Sequence, residues 1–201
     1  MMNENMILAL PLVIRESQGL YRSKIPIGCT RICSCPSNHI NCLTAKEWIK
    51  CQLGVWQFFY EGRDIRDKNV HPATFPIALS KRVIGLFTHE GELVLDPFVG
   101  SGTTLVAARD LNRNAIGFDL QEKYIRLCIE RLASDPSPFP PSTGEEGGRA
   151  GVGARRGDFC AQQLTVQDDA RNIPAYLNPE IVSLIWTSPP YANLLNRKRL
   201  T

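Results

Sequence analysis

The sequence predicts an α/β fold built on a parallel sheet, and three observations carry the prediction. Leu93-Val94-Leu95 is an unbroken apolar run closed by Asp96-Pro97, which suits a strand buried on both faces. A second run, Ala115-Ile116-Gly117-Phe118, closes on Asp119, and a third, Ile181 to Trp186, closes on Thr187-Ser188-Pro189-Pro190-Tyr191. Helical periodicity follows each of the first two runs, and strands alternating with helices give parallel sheets.

The first unit is the most informative. Pro97 ends its strand, Gly100 and Gly102 allow tight turning and close approach of a ligand, and Ser101 or Thr103 is positioned to cap a helix running through Thr104, Leu105, Val106 and Leu111. It is not a nucleotide P-loop, because Thr103-Thr104 follows Gly102 where a lysine is required. Nor is it the dinucleotide fingerprint, whose third glycine or alanine is replaced by Leu105. Asp96 would repel a pyrophosphate and attract an ammonium group, so a cationic nucleoside fits better. Asp119 stands about 20 residues on, where an acid at the end of the next strand binds a ribose diol. The helix after it carries Ile125, Cys128, Ile129 and Leu132 on one face.

Length and charge set outer bounds. A chain of 201 residues with 43% hydrophobic content can bury one good core. A net charge of +3 permits DNA binding without requiring it. Met6 to Ile14 is apolar but is interrupted by Pro11, is far shorter than a membrane span and lacks a preceding basic region, so neither a signal peptide nor an anchor is read. Seven cysteines without a secretory signal point to a reducing, cytoplasmic compartment. Cys29, Cys33, Cys35 and Cys42, with His39 nearby, are zinc-ligand types, but their spacing is irregular and contains no CxxC pair; ordinary loop or buried thiols are expected, and no metal.

Residues 1–43 otherwise give no functional signal, and the core is expected to span 44–201. Thr44-Ala45-Lys46-Glu47 is a capping box that should open a helix. Trp48, Ile49, Leu53, Trp56, Phe59 and Tyr60 recur at helical spacing and read as core, followed by a polar connector from Arg63 to Lys68. His71-Pro72-Ala73-Thr74-Phe75-Pro76 precedes another helix, with Ile77, Ser80, Val83, Ile84 and Phe87 on its apolar face. Residues 134–157 turn proline-rich and then glycine-rich, which predicts a flexible surface loop. Leu164 and Val166 alternate with polar residues as a short strand that ends at Asp168-Asp169.

In this order the parts resemble the S-adenosylmethionine-dependent DNA amino-methyltransferases. His71 to Pro76 is similar to their motif preceding the cofactor loop, Asp96 to Thr104 to the loop itself, and Gly117-Phe118-Asp119 to the ribose-binding element. The resemblance implies a Rossmann-like methyltransferase sheet with helices on both faces and strand order 3-2-1-4, the fourth strand forming an apolar edge. It assigns the cofactor to Thr74, Phe75, Asp96, Pro97, Phe98, Gly100, Gly102, Thr103 and Asp119. It also implies an Asp after the short strand as acceptor for the cofactor's adenine amino group, a role expected of Asp169 in preference to Asp168.

Ser188-Pro189-Pro190-Tyr191 is then the catalytic motif. Its prolines stiffen the turn and remove backbone donors, leaving carbonyl and hydroxyl oxygens to accept hydrogen bonds from a base amine. Tyr191 is suited to stack on a base flipped out of DNA. In the family, Ser at the first position is associated mainly with N4 of cytosine, while Asp or Asn is typical of N6 of adenine. Cytosine C5 methylation is not expected, because it needs a nucleophilic cysteine after a proline and none of the seven cysteines follows one. N6-adenine methylation, a non-catalytic S-adenosylmethionine-binding module, and methylation of a protein or RNA amine are the alternatives. Only Ala192 to Thr201 follow Tyr191, with Arg197, Lys198 and Arg199 suited to phosphate contact, whereas family members continue into further strands and a target-recognition region. A partial sheet, completed by a missing carboxyl-terminal half or a companion chain, is therefore expected.

Overall fold

The computed structural model describes the backbone of residues 12–15 and residues 24–25, 27–52, 54–60, 62, 64, 74–134 and 161–189. The strands are β1 (Leu12–Arg15), β2 (His39–Ile40), β3 (Leu43–Thr44), β4 (Leu93–Asp96), β5 (Asn114–Asp119), β6 (Gln163–Gln167) and β7 (Val182–Ile185). The helices are α1 (Ala45–Cys51), α2 (Ile77–Phe87), α3 (Thr103–Asp110), α4 (Glu122–Ser134) and the short α5 (Ile173–Tyr176).

Five strands form a parallel sheet in the order β1-β6-β5-β4-β7, and β2 and β3 form a separate antiparallel hairpin. The four strands read from the sequence thus lie in the expected order 3-2-1-4, with β7 on the edge and Ile185 60% exposed. β1 is an addition. Part of the apolar run near the amino terminus pairs with β6, Leu12 opposite Leu164 and Ile14 opposite Val166. Ile25 and Ile27, from the same amino-terminal stretch, enter the core as well.

Period-two alternation in β4 and β5 sends side chains to two different cores. Val94 and Ala115 pack beneath α2, α3 and α4 through Ile77, Ile84, Leu105, Val106, Ile125 and Cys128. Leu93, Leu95, Ile116, Phe118 and Val166 face the other way, onto Ile25, Ile27, Tyr176 and Leu177. Both faces are covered, the first by three helices and the second mainly by extended chain and the short α5. Among the described residues no helix is long and apolar enough to cross a membrane.

Several local expectations change. The capping box at Thr44 and Glu47 forms, but α1 ends at Cys51 and buries nothing. The aromatic stripe is not core: Ile49 and Phe59 are exposed, and Trp56 lies beside Phe58 with the Arg82 guanidinium over both rings. The reason is that the helix closes at Gln52, before Gly54, so the later aromatics lose the periodicity that would have aligned them. On α2, Leu86 is buried where Phe87 was expected, and Phe87 is exposed. Asp64, read as part of a polar connector, is fully buried and accepts a hydrogen bond from the backbone N–H of Ile77 at 3.1 Å, satisfying the first turn of α2. Residues 135–160, which contain most of the predicted loop, lie outside the described residues.

Candidate active site

All five strands of the sheet run parallel, so their carboxyl ends share one edge, and the chain reverses its direction of travel across the sheet at β4. Successive strands β4, β5 and β6 step one way, and β7 returns to the opposite side of β4. A crevice at such a switch point is where open α/β sheets bind ligands. Asp96 ends β4, Asp119 ends β5, Asp168 and Asp169 follow β6, and Trp186 to Pro189 follow β7.

The loop after β4 is built around Asp96. Its side chain is 2% exposed; one oxygen accepts from the Phe98 N–H at 3.1 Å and the Thr187 hydroxyl at 2.6 Å, and the other from the Thr104 hydroxyl at 2.5 Å. A single carboxylate therefore joins the loop, the first turn of α3 and the segment leading to Ser188. Burial pushes the Asp96 carboxyl above its ordinary range, against the opposing pull of these three donors. Neither Ser101 nor Thr103 caps α3. The N-cap is Gly102 in the left-handed region at φ 84°, where a Cβ would stand 2.3 Å from the Cys128 sulfur. Ser101 and Thr103 are held instead by the buried Arg131, whose Nη1 donates to the Ser101 carbonyl and hydroxyl and to the Thr103 hydroxyl at 2.9 Å.

Asp119 faces this loop. It accepts from the Gly100 N–H at 3.2 Å and the Gln121 N–H at 2.8 Å, so it orients the glycine turn and caps the approach to α4 together. The loop lies close against β5: Val99 donates its N–H to the Phe118 carbonyl at 2.8 Å, and a Cβ on Gly117 would come within 2.4 Å of Val99. Phe98 remains partly exposed beside Asp96 and Pro97.

Thr74 is buried with its hydroxyl 3.4 Å from that of Ser101, and Phe75 meets Trp186 edge to face at 6.1 Å. Trp186 donates its indole N–H to the Ser80 hydroxyl at 2.9 Å and its backbone N–H to the Leu95 carbonyl at 3.0 Å. The structure thus brings together Thr74, Phe75, the whole Asp96-to-Thr103 loop, Asp119 and the start of the Ser188-Pro189 turn. His71 to Ala73, Pro190, Tyr191, Arg197, Lys198 and Arg199 lie outside the described residues.

The two acids after β6 divide their tasks. Asp168 is buried and accepts from the Tyr176 hydroxyl at 2.7 Å, the Asn172 side chain at 2.8 Å and the Asp169 N–H at 2.6 Å. Asp169 caps the following 3-10 turn through the Arg171 N–H and pairs with the exposed Arg171 guanidinium at 2.6 Å, which holds its carboxyl down at about 2. Thr104, Thr187 and Arg131 were not singled out from the sequence, since hydroxyls and an arginine at helical spacing carry no local signal of what they contact.

The chain matches the model of the N6/N4 DNA methylases over residues 21–130, just over half its length. It belongs to the DNA methylase family. These methylases use S-adenosylmethionine. Among curated relatives, the type II methyltransferase M.HpaI of Haemophilus parainfluenzae is 41% identical over 85 residues, 42% of this chain and 27% of that protein. M.BglI of Bacillus subtilis is 42% identical over 93 residues, 46% of this chain and 26% of that protein. The aligned segments thus span about a quarter of those methylases. A DNA modification methylase of Thermus thermophilus, solved with S-adenosyl-L-methionine, is 27% identical at a TM-score of 0.41, covering 62% of this chain and 39% of its own.

Proposed function

We propose that this chain carries the cofactor site and the amine-binding turn of a DNA methyltransferase acting on the exocyclic N4 of cytosine. The observation that carries the proposal is the 2.6 Å hydrogen bond from Thr187 to Asp96, which ties the Ser188-Pro189 turn to the glycine loop at the switch point of the sheet.

The residues present suit S-adenosylmethionine. Gly100 and Gly102 both adopt positive φ, which lets the loop turn tightly, and the missing Cβ of Gly102 lets it close against Cys128. Asp119, oriented by two backbone donors, is a carboxylate at a strand end suited to a ribose diol. We assign Thr74, Phe75, Pro97, Phe98 and Thr103 to the same site, and Asp169 as the acceptor for an adenine amino group, because its side chain is partly exposed and paired with the exposed Arg171, whereas Asp168 is buried on Tyr176 and Asn172. Asp96 acts by positioning, through the hydrogen bonds it accepts from Phe98, Thr104 and Thr187. When bound, the cofactor supplies a methyl group activated by its positive sulfur.

The protein's part is orientation. The lone pair of an exocyclic base nitrogen is delocalised into the ring, so the amine is a poor nucleophile until it is held in line. The Ser188 hydroxyl and Pro189 carbonyl accept its two N–H bonds, turning the nitrogen toward the crevice, and Tyr191 stacks on the extruded base. No covalent intermediate is required. DNA is the partner, and Ser188 in place of Asp or Asn is what favours cytosine over adenine.

Calorimetric titration of the 201-residue chain with S-adenosylmethionine, beside Asp119→Ala, tests the cofactor site. Binding that is lost in the variant is the expected result; equal binding by both would remove Asp119 from the site. Chromatography of nucleosides from methylated DNA then separates N4-methylcytosine from N6-methyladenine, and recovery of the adenine product would replace the cytosine reading. Because the chain aligns with about a quarter of its relatives, the assay is run with and without the remaining part of such a methylase supplied as a second chain.

A further inference from the structure

At the opposite end of the sheet, before β4 begins, a second cluster forms. Cys33, Cys35 and Cys42 meet His89, and the four potential ligand atoms all lie within 4.8 Å of one another. The His89 Nδ1 is 3.3 Å from the Cys33 sulfur and 3.6 Å from the Cys42 sulfur. Sequence spacing does not reveal this set, because His89 arrives from the far end of α2. The other two zinc-ligand types of this stretch stand elsewhere: Cys29 is 3.7 Å from the Ser183 hydroxyl, and His39 lies in β2.

We propose that Cys33, Cys35, Cys42 and His89 form a structural zinc site. Three thiolates and one imidazole are a standard closed zinc donor set. With Zn–S near 2.3 Å and Zn–N near 2.0 Å, the edges of the coordination tetrahedron are about 3.6–3.8 Å. The two sulfur-to-nitrogen distances are already close to that length, and the widest separation needs to close by only about 1 Å.

Three further observations point the same way. From Gly28 to Cys51 no residue is buried, yet the segment contains a regular hairpin and the capped helix α1. A small unit without an apolar core normally needs a metal or disulfides to hold its shape. Asn41 and Cys42 occupy the hairpin turn at φ 50° and 70°, where a two-residue turn with both φ positive ordinarily places Asn-Gly. A cysteine in that glycine position is strained, a cost that a ligand role for its sulfur would explain. Finally, the outer shell is in place: the Glu90 N–H donates to the Cys42 sulfur at 3.5 Å, and the Arg31 Nε donates to the Cys33 sulfur at 3.2 Å. Three thiolates around a dication leave one net negative charge, which the Arg31 guanidinium offsets.

The site has four protein ligands and no open position, and it lies at the amino end of β4 while Asp96 lies at the carboxyl end. Its role is to clip residues 31–44 to the turn between α2 and β4, alongside the Ile32 N–H to Glu90 carbonyl bond at 3.0 Å.

Elemental analysis of the full chain purified under reducing conditions, without added metal and after zinc supplementation and desalting, is the test. About one equivalent of zinc is expected. Zinc affinity, read by competition with a chromophoric chelator, should fall by more than about tenfold in Cys42→Ser and in His89→Ala, and stay unchanged in Cys29→Ser and His39→Gln. Should the ligand variants fail to fold, cobalt substitution of the unaltered chain decides: tetrahedral d–d bands with thiolate charge transfer support the site, and an octahedral spectrum overturns it. A folded chain that takes up no zinc, affinity indifferent to both ligand variants, or a disulfide joining two of the three cysteines would each overturn it as well.

Discussion

Residues 93–132 and residues 28–51 are stabilised in opposite ways. The first region buries every residue of β4 and nearly all of α3 and β5, and it places Gly102 and Gly117 where a Cβ cannot fit. The second has caps, a hairpin and one backbone bridge to residue 90, but no buried side chain. One chain thus fixes geometry by close packing at the carboxyl end of the sheet, and by the proposed zinc ligation at the other. Mutations should therefore be costly in the first region, and metal-dependent in the second.

The largest effect is expected from emptying the packed region. Phe118→Ala, at a fully buried site against Tyr176, should cost about 3–5 kcal/mol in denaturant unfolding, while Ile49→Ala on exposed α1 should stay within about 0.5 kcal/mol. Equal costs would erase the distinction between the regions. Next comes Gly102→Ala, which combines a left-handed backbone with a Cβ 2.3 Å from the Cys128 sulfur; about 2–4 kcal/mol is expected, with loss of cofactor binding by calorimetry.

Thr187→Val is smaller in stability and larger in function. Removing one donor to a buried carboxylate should cost about 1–3 kcal/mol, and methyl transfer should fall more than cofactor affinity, because the turn carrying Ser188 loses its tie to Asp96. Parallel loss of both would make Thr187 a part of the cofactor site only.

The smallest effect is a pH dependence. Burial raises the Asp96 carboxyl in the folded chain, so its protonated form is the one that folding favours. The stability of the natural chain relative to Asp96→Asn should be greatest below the ordinary carboxylate range and decline as pH rises through the elevated value. Thermal melts of both proteins across about pH 3–8 check the sign; a difference that grows with pH would mean that the hydrogen bonds from Phe98, Thr104 and Thr187 outweigh desolvation.

The sheet and much of the crevice were legible in the sequence because the signals are local. Apolar runs closed by Asp96 and Asp119, with glycines or a capped helix immediately after, determine strand, turn and helix over a few residues, and parallel connection then brings the strand ends to one edge. The amino-terminal strand was not legible: Leu12–Arg15 is a four-residue run whose partner lies in β6, so its role depends on a pairing that periodicity does not encode. The aromatic stripe after Thr44 misled for the converse reason, since helical spacing persists in the sequence after the helix has ended at Gln52.

By itself, then, the sequence determined its four main strands, the acidic glycine loop and the resemblance to a family, which rest on residue type within short windows, and the strand order came with that resemblance. Tertiary structure decided which of two neighbouring acids is buried, which hydroxyls hold Asp96, how Arg131 braces the loop, and that His89 joins three cysteines from a distant turn. Those outcomes depend on distances between elements, and a side chain's partners are chosen only after the backbone has brought them within reach.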